Sequence, residues 1–595
     1  MIMPSKILRT LNSLLIPPLL FALSTVLSPT AMAQTGEDWL EAPAERVDYQ
    51  EGGTLYEPLM DFVYELESRT ELMNVVKLTE TLLGRDVVLC VLSDPPVFRP
   101  EDVRYSEKPI VLIVNNVHGG EVAGKDASME LMRDLTLGDL RPLLEDQIVL
   151  VVPTINPDGA EIYRRTNEEG FDMNRDYIKL ESQEIQALVT KVINEWQPHI
   201  HLDTHHGGSA PYTLTYQTNM NPAGDPNLMA FGNQEVLPRV REALRAEDYE
   251  GFWYSGPRTV NGREGWGPTS VEPRKQHVFS ALANMVGFLY ETPSGTHRVV
   301  DNGTRVVPIP EEERYRHQVR GEYLGQREIL RFASERGDDL RAVVARARAD
   351  AIQRGATVGD DDPIPLDYEQ VEKFTDSFWR EVEDPESGEE EYELVEGPVF
   401  TKWVPTETAP RPWGYLIPPS LTKVVPLLLQ HDITVKRLTE PLEVEVETWY
   451  ATNIRHDRYF QAHYLKEVEA HRKTETVSLP AGSFFIPSGQ PMSNFISYIM
   501  EPVTNDNLVT WGYLDNVIQV TPPEEEVQAR IRELRERLAE LSPEIRRRYG
   551  SRLEAQIEVL EEGQPIPIHR LLHKTEMAGV LARPFNVYEA RRYVR

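Results

Sequence analysis

Among its 595 residues the chain has one cysteine, Cys90. A single thiol excludes an intrachain disulfide framework and every cysteine-based zinc site, so any bound metal must be held by His, Asp or Glu. Positive charge is also scarce: 62 Lys and Arg stand against 95 Asp and Glu, a formal charge of −33. A surface this acidic repels nucleic-acid phosphates and anionic lipid headgroups, so neither is expected as a partner. Beyond the first residues no apolar run approaches the ~20 residues that a membrane-spanning helix needs. Hydrophobic residues make up 40% and charged residues 26%, which excludes a fibrous or wholly disordered chain. At roughly 100–200 residues per domain, the length allows two large domains or three to four ordinary ones.

The first segment has the pattern of a secretory signal peptide. Lys6 and Arg9 precede an apolar run over residues 14–27, interrupted by Pro17 and Pro18, and Ala31-Met32-Ala33 supplies a small-x-small cleavage pattern. Cleavage after Ala33 would remove both cations and no acid, taking the formal charge from −33 to −35. The expectation is an exported protein, periplasmic or secreted, with no membrane association once the leader is gone.

After a helical period over residues 56–68, short apolar runs alternate with helical patterns. The runs at 109–114 and 148–152 read as buried strands, 199–204 and 287–292 as further strands, and 122–135, 182–196 and 226–245 as helices. This alternation predicts an α/β fold, with a mostly parallel, mixed central sheet flanked by helices. A polar helix over about 311–354 is expected to close the catalytic domain, residues 34–355. The acid-rich 356–398 reads as a linker or loop region. Residues 399–595, with short strands and two charged helices at 524–541 and 543–562, read as a smaller, separate α+β region.

Four motifs carry chemistry. His118-Gly119-Gly120-Glu121 follows the first buried strand, at the strand end where open α/β sheets place their sites. A His and a Glu three residues apart on a turn into a helix can converge on one metal ion, and zinc in hydrolytic sites commonly takes three protein ligands. Next come Asn156-Pro157-Asp158-Gly159, then Arg165-Thr166-Asn167, then Gly170-Phe171-Asp172-Met173-Asn174-Arg175. The third motif runs from His199 through His201, Asp203, His205 and His206. The fourth is a strand ending Tyr290-Glu291-Thr292.

In type and order these motifs resemble those of the zinc carboxypeptidase family, the carboxypeptidase A-like enzymes, over about residues 56–294. The resemblance implies one zinc ion per chain, held by His118, Glu121 and His205, with Asp172 orienting His118. It implies that Arg165 stabilises the oxyanion, that Asn174 and Arg175 receive the substrate's terminal carboxylate, and that Glu291 is the general base and acid. The implied substrates are peptides with a free C-terminal carboxylate. His201 shares a strand face with His205 and is the alternative third ligand, whereas His206 reads as a residue of a substrate subsite. The family's mobile tyrosine has no motif-level match, although Tyr254 lies in the right part of the chain. Two other readings stand beside the peptidase: a zinc amidohydrolase acting on peptidoglycan stem peptides or another amide, and a non-catalytic binding protein on a peptidase fold.

Overall fold

The computed structural model describes residues 39–46, 52–103, 106–268, 271–383 and 390–582. The expected leader, residues 1–33, lies outside them. The central sheet has eight strands: β1 (Met73–Glu80), β2 (Asp86–Leu92), β3 (Ile110–Asn115), β4 (Ile148–Val152), β5 (Ile200–His206), β6 (Leu214–Thr218), β7 (Gly251–Trp253) and β10 (Val286–Thr292). Their order is β1-β2-β4-β3-β5-β10-β6-β7. The middle pairings β4–β3, β3–β5 and β5–β10 are parallel, while β1–β2, β2–β4 and β10–β6 are antiparallel. This is the mixed, centrally parallel sheet expected from the sequence. Every residue of β3 and β4 is buried, which explains their unbroken apolar runs.

Helices cover both faces. The helix Ala123–Thr136 lies so close to β5 that a Cβ on Gly124 would stand 2.0 Å from Thr204 Oγ1. The helix Arg314–Glu335 packs on the same face, with Gly325 against Leu214 and Tyr290. On the opposite face, the helix Gln276–Leu282 meets β5 where His201 Nδ1 bonds Ser280 Oγ at 3.0 Å. The single polar helix expected over 311–354 is two, Arg314–Glu335 and Gly337–Ala356, separated at Arg336.

The described residues of 356–398 are mostly strands, where a linker or loop region was expected. A hairpin of β8 (Gly256–Val260) and β9 (Arg263–Gly267) joins β14 (Phe374–Glu383) and β15 (Glu390–Val399) in a four-stranded sheet. In addition, β13 (Gly359–Val371) pairs with β16 (Lys402–Arg411). Asp367, Glu369, Glu381, Glu383, Glu391, Glu393 and Glu396 of this stretch are exposed. Phe378, buried on β14, packs its ring 5.3 Å from Trp266 and 6.2 Å from Phe252. A strand needs few apolar residues when only one face is covered, so the acid-rich composition hid the alternation.

A small hairpin of β11 (His297–Val300) and β12 (Arg305–Pro308) precedes the long helices. The C-terminal part builds a seven-stranded sheet in the order β20-β19-β22-β17-β21-β18-β23. Its strands are β17 (Gly414–Ile417), β18 (Lys436–Leu438), β19 (Leu442–Phe460), β20 (His463–Leu479), β21 (Phe484–Pro487), β22 (Gln564–Leu571) and β23 (Gly579–Leu581). The helices Glu524–Glu540 and Pro543–Glu562 pack together through Val527, Ile531, Leu534, Leu553 and Ile557. The α+β character is as expected, but the separateness is not. The described residues from 42 onward form one compact unit, and one apolar core runs from Leu112 and Leu150 through Phe279 to Phe495 and Trp511. The rings of Phe279 and Phe495 meet edge to face at 5.3 Å.

The Gly124 contact yields a stability test. Thr204 Oγ1 is buried and donates to Asn115 Oδ1 at 2.7 Å, so it cannot swing away from an added methyl group without losing that bond. Gly124→Ala is expected to lower the unfolding free energy by about 1–3 kcal/mol, the range for overpacking a close contact. Urea denaturation of the two proteins measures this.

Candidate functional site

The site forms where β3, β5 and β10 end. Beyond β3 the chain turns at Asn116, which adopts a left-handed φ of 60°, a conformation asparagine tolerates better than most residues. Its side-chain amide donates to the carbonyls of His118 (2.9 Å), Gly119 (3.1 Å) and Glu121 (3.0 Å), so one residue gathers the whole turn. Thr154 Oγ1 holds the other end of that amide at 2.9 Å. Asn156 Nδ2 donates to Val117 O at 3.1 Å and ties the NPDG segment to the same turn. Gly119 is required by space: a Cβ there would lie 2.2 Å from the carbonyl carbon of Gly159.

This turn brings three ligand-type atoms together. Glu121 Oε2 lies 2.8 Å from His118 Nδ1 and 2.7 Å from His205 Nδ1, and the two imidazole nitrogens are 3.1 Å apart. Among the described residues, His118, Glu121 and His205 form the group with metal-holding geometry. The far nitrogen of each imidazole meets a carboxylate: His118 Nε2 bonds Asp172 Oδ1 at 3.0 Å, and His205 Nε2 bonds Asp203 Oδ2 at 2.8 Å. A carboxylate on Nε2 keeps the proton there and turns the Nδ1 lone pair toward the centre. Two lone pairs and a carboxylate oxygen packed this closely repel one another unless a positive charge lies among them, so the donor set fits a metal cation. Without one, a proton answers the same need. Burial opposes charge on His205, but Asp203 and Glu121 raise its pKa well above the ordinary imidazole value. Burial likewise works against ionising Glu121, yet His118 and His205 hold its carboxyl well below the usual range.

Glu291 sits on β10 directly beside His205 on β5. Its carboxylate lies over Gly207, where an added Cβ would be 2.4 Å from Oε2. Burial, and then the negative Glu121, outweigh His205 and push the Glu291 carboxyl up to about 7. Arg165 donates from Nε to Asp172 Oδ2 at 3.0 Å and from a terminal nitrogen to Glu121 Oε1 at 3.1 Å, while its side chain stays 49% exposed. Arg175 bonds Asn174 O at 2.7 Å and stands 4.0 Å from Asp172.

Asn174 departs from expectation. Its amide donates to Asp203 Oδ2 at 3.2 Å, lies 3.0 Å from His205 Nε2, and accepts from the Gln276 backbone at 3.0 Å. Both ends of a buried amide are therefore engaged inside the protein, and Asn174 braces the Asp203–His205 pair instead of facing a ligand. The other histidines also resolve. His201 bonds Ser280 away from the cluster, and burial lowers its pKa to about 3. His206 Nε2 accepts the Ala123 backbone N–H at 2.8 Å, so it serves the start of the helix Ala123–Thr136 and is not turned toward a subsite.

Asp203 was not singled out as a partner in the sequence, although its place two residues before His205 puts both on one strand face. Tyr254 comes into range only in three dimensions. Burial raises its phenol, and the charges acting on it are those of Glu291, Glu121, Arg175 and Arg165. Arg274 and Lys275 add to the positive side of the site. Burial lowers Lys275 to about 8, partly countered by Glu272, with Arg175 and Arg274 lowering it further.

The role of Asp203 is testable. Asp203→Asn keeps the shape but removes the charge that fixes the His205 tautomer, and metal affinity is expected to fall by roughly 10–100-fold. His206→Ala should leave it unchanged. Competition with a chromogenic chelator measures both.

Comparison with known proteins bears on this geometry. Residues 59–222 match the family model described as zinc carboxypeptidase. Carboxypeptidase 2 of Trichophyton tonsurans is 24% identical over 430 residues, covering 69% of this chain and 74% of that one. Probable carboxypeptidase 2 of Arthroderma benhamiae is 25% identical over 423 residues, covering 68% and 75%. A solved metallo-carboxypeptidase from Pseudomonas aeruginosa, in complex with (2-guanidinoethylmercapto)succinic acid, superposes loosely. It has a TM-score of 0.37 at 20% identity, covering 49% of this chain and 70% of that one. The segment that matches the zinc carboxypeptidase model contains His118, Glu121, Asp172 and His205.

Proposed function

We propose that this chain is an exported zinc metallocarboxypeptidase that removes residues from the C-termini of peptides. The observation that carries the reading is the convergence of His118 Nδ1, Glu121 Oε2 and His205 Nδ1 beside the buried Glu291. Export rests on the leader pattern. Among the described residues no helix is long and apolar enough to cross a membrane.

His118, Glu121 and His205 would hold the zinc ion, which when bound supplies a Lewis acid for polarising a carbonyl. Glu291 accepts a proton from the attacking water and returns it to the leaving amine. A carboxyl raised to about 7 is suited to both transfers near neutral pH. Arg165, half exposed, donates to the carbonyl oxygen as negative charge builds there. Asp172 and Asp203 keep the two imidazoles in one tautomer and orientation.

Arg175 receives the substrate's terminal carboxylate. Burial lowers the pKa of its guanidinium, and the like charges of Arg165 and Arg274 lower it further. A cation crowded in this way gains from an incoming anion. Asn174 supports the site from behind, consistent with its internal hydrogen bonds.

Two measurements test this reading. Glu291→Gln should retain zinc and fold but lose turnover by ~10²–10⁴-fold, because the amide cannot accept the water proton. A peptide with a free C-terminal carboxylate should be trimmed, and its C-terminal amide should react more slowly by roughly tenfold to a hundredfold in kcat/KM, the loss of one charge-assisted contact. Mass spectrometry of the digests reads both. Equal cleavage of the two peptides, or internal cuts, would favour an amidohydrolase acting on muropeptides or other amides.

A further inference from the structure

The strands β19 and β20 are 19 and 17 residues long, and the turn that joins them reaches Asp172, which bonds His118. Phe460 pairs with His463, so the hairpin closes on two residues, Gln461 and Ala462. Both have positive φ, 50° and 60°. A two-residue turn of this type favours Asn-Gly, because glycine lacks a Cβ and asparagine tolerates positive φ better than most residues. A local rule broken in this way points to a requirement imposed by the surroundings.

The surroundings supply one. Gln461 Oε1 accepts the backbone N–H of Asp172 at 2.8 Å, across 289 residues of sequence. The adjacent His463 pairs with Glu181 at 2.9 Å and packs edge-on to Trp511 at 5.6 Å. Arg274 lies over the Phe460 ring at 5.8 Å. Asp172 in turn carries His118 Nε2 on one oxygen and Arg165 Nε on the other. The tip therefore holds the backbone of the residue whose carboxylate serves both His118 and Arg165.

We infer that Gln461 is a positioning residue of the metal centre: by holding the Asp172 backbone, it fixes the carboxylate that orients His118 and Arg165. This rests on the metal assignment above. Asp172 is buried, so without Gln461 its N–H would lack a partner and the Asp172–Arg175 turn would shift toward one. An orienting contact one step behind a metal ligand acts on affinity for the metal.

The test uses the full-length protein and zinc alone, with affinity read by chelator competition and folding by circular dichroism. Gln461→Ala is expected to weaken zinc binding about tenfold at unchanged secondary structure. Gln461→Asn, which keeps the amide but is one methylene too short, should show a similar loss. Gln461→Glu, which keeps an acceptor oxygen at the same reach, should recover most of the affinity. At saturating zinc, Gln461→Ala should lower kcat with KM within about twofold. Unchanged zinc affinity in both Gln461→Ala and Gln461→Asn would overturn the inference. So would a rise in KM alone, which would make the tip a substrate contact. If the unmodified protein itself failed to bind zinc, the metal assignment would fall, and this inference with it.

Discussion

The structure is organised around a repulsion. Two imidazole lone pairs and a carboxylate oxygen are held within about 3 Å of one another in a buried corner. Such a corner is stable only with positive charge at its centre. The carboxylates of Asp172 and Asp203 on the outer nitrogens sharpen the demand, because they raise the basicity of the imidazoles and turn the inner nitrogens toward one another. Much of the nearby polar structure serves to hold this arrangement against its own electrostatics. Asn116 gathers three carbonyls of the HxxE turn, and Asn174 ties Asp203 to the loop before the helix Gln276–Leu282.

The local field also runs against the global one. The chain carries −33, yet Arg165, Arg175, Arg274 and Lys275 act on one another beside the cluster, held by Asp172, Glu272 and Asp506. Buried charges are screened far less than surface ones, so these cations and the acids that pair with them set the local field more than the distant surface acids do.

The C-terminal part is woven into this centre from two directions. Asp506 accepts the Arg274 backbone N–H at 2.8 Å and pairs with its guanidinium, which steadies the loop leading to Gln276. The β19–β20 hairpin reaches Asp172. Both contacts rest on an apolar core continuous from the central sheet to Trp511, so the two halves hold a single site. Composition changes near residue 399, but a shift in composition marks a boundary only where few contacts cross it.

The sequence by itself determined the central sheet, through apolar runs whose length and lack of alternation leave no other use for them. Through the order of four motifs it pointed, by resemblance, to His118, Glu121, His205 and Asp172, which the structure brings together. The strands and the turn from His118 to Glu121 are local, and local geometry follows from neighbouring residues. Tertiary structure alone decided the rest. Asn174 had the right neighbours for a ligand contact, but its orientation depended on Gln276, 102 residues away. His206 was drawn off by the backbone of Ala123, 83 residues before it. The strands of 359–399 were hidden because one buried aromatic such as Phe378 can hold a strand that is otherwise charged. Gln461 lies 289 residues from Asp172, in a turn whose residues break the usual preference. A hydrogen bond between distant segments leaves no spacing to read, because it exists only once the packing of both halves has brought its two ends together.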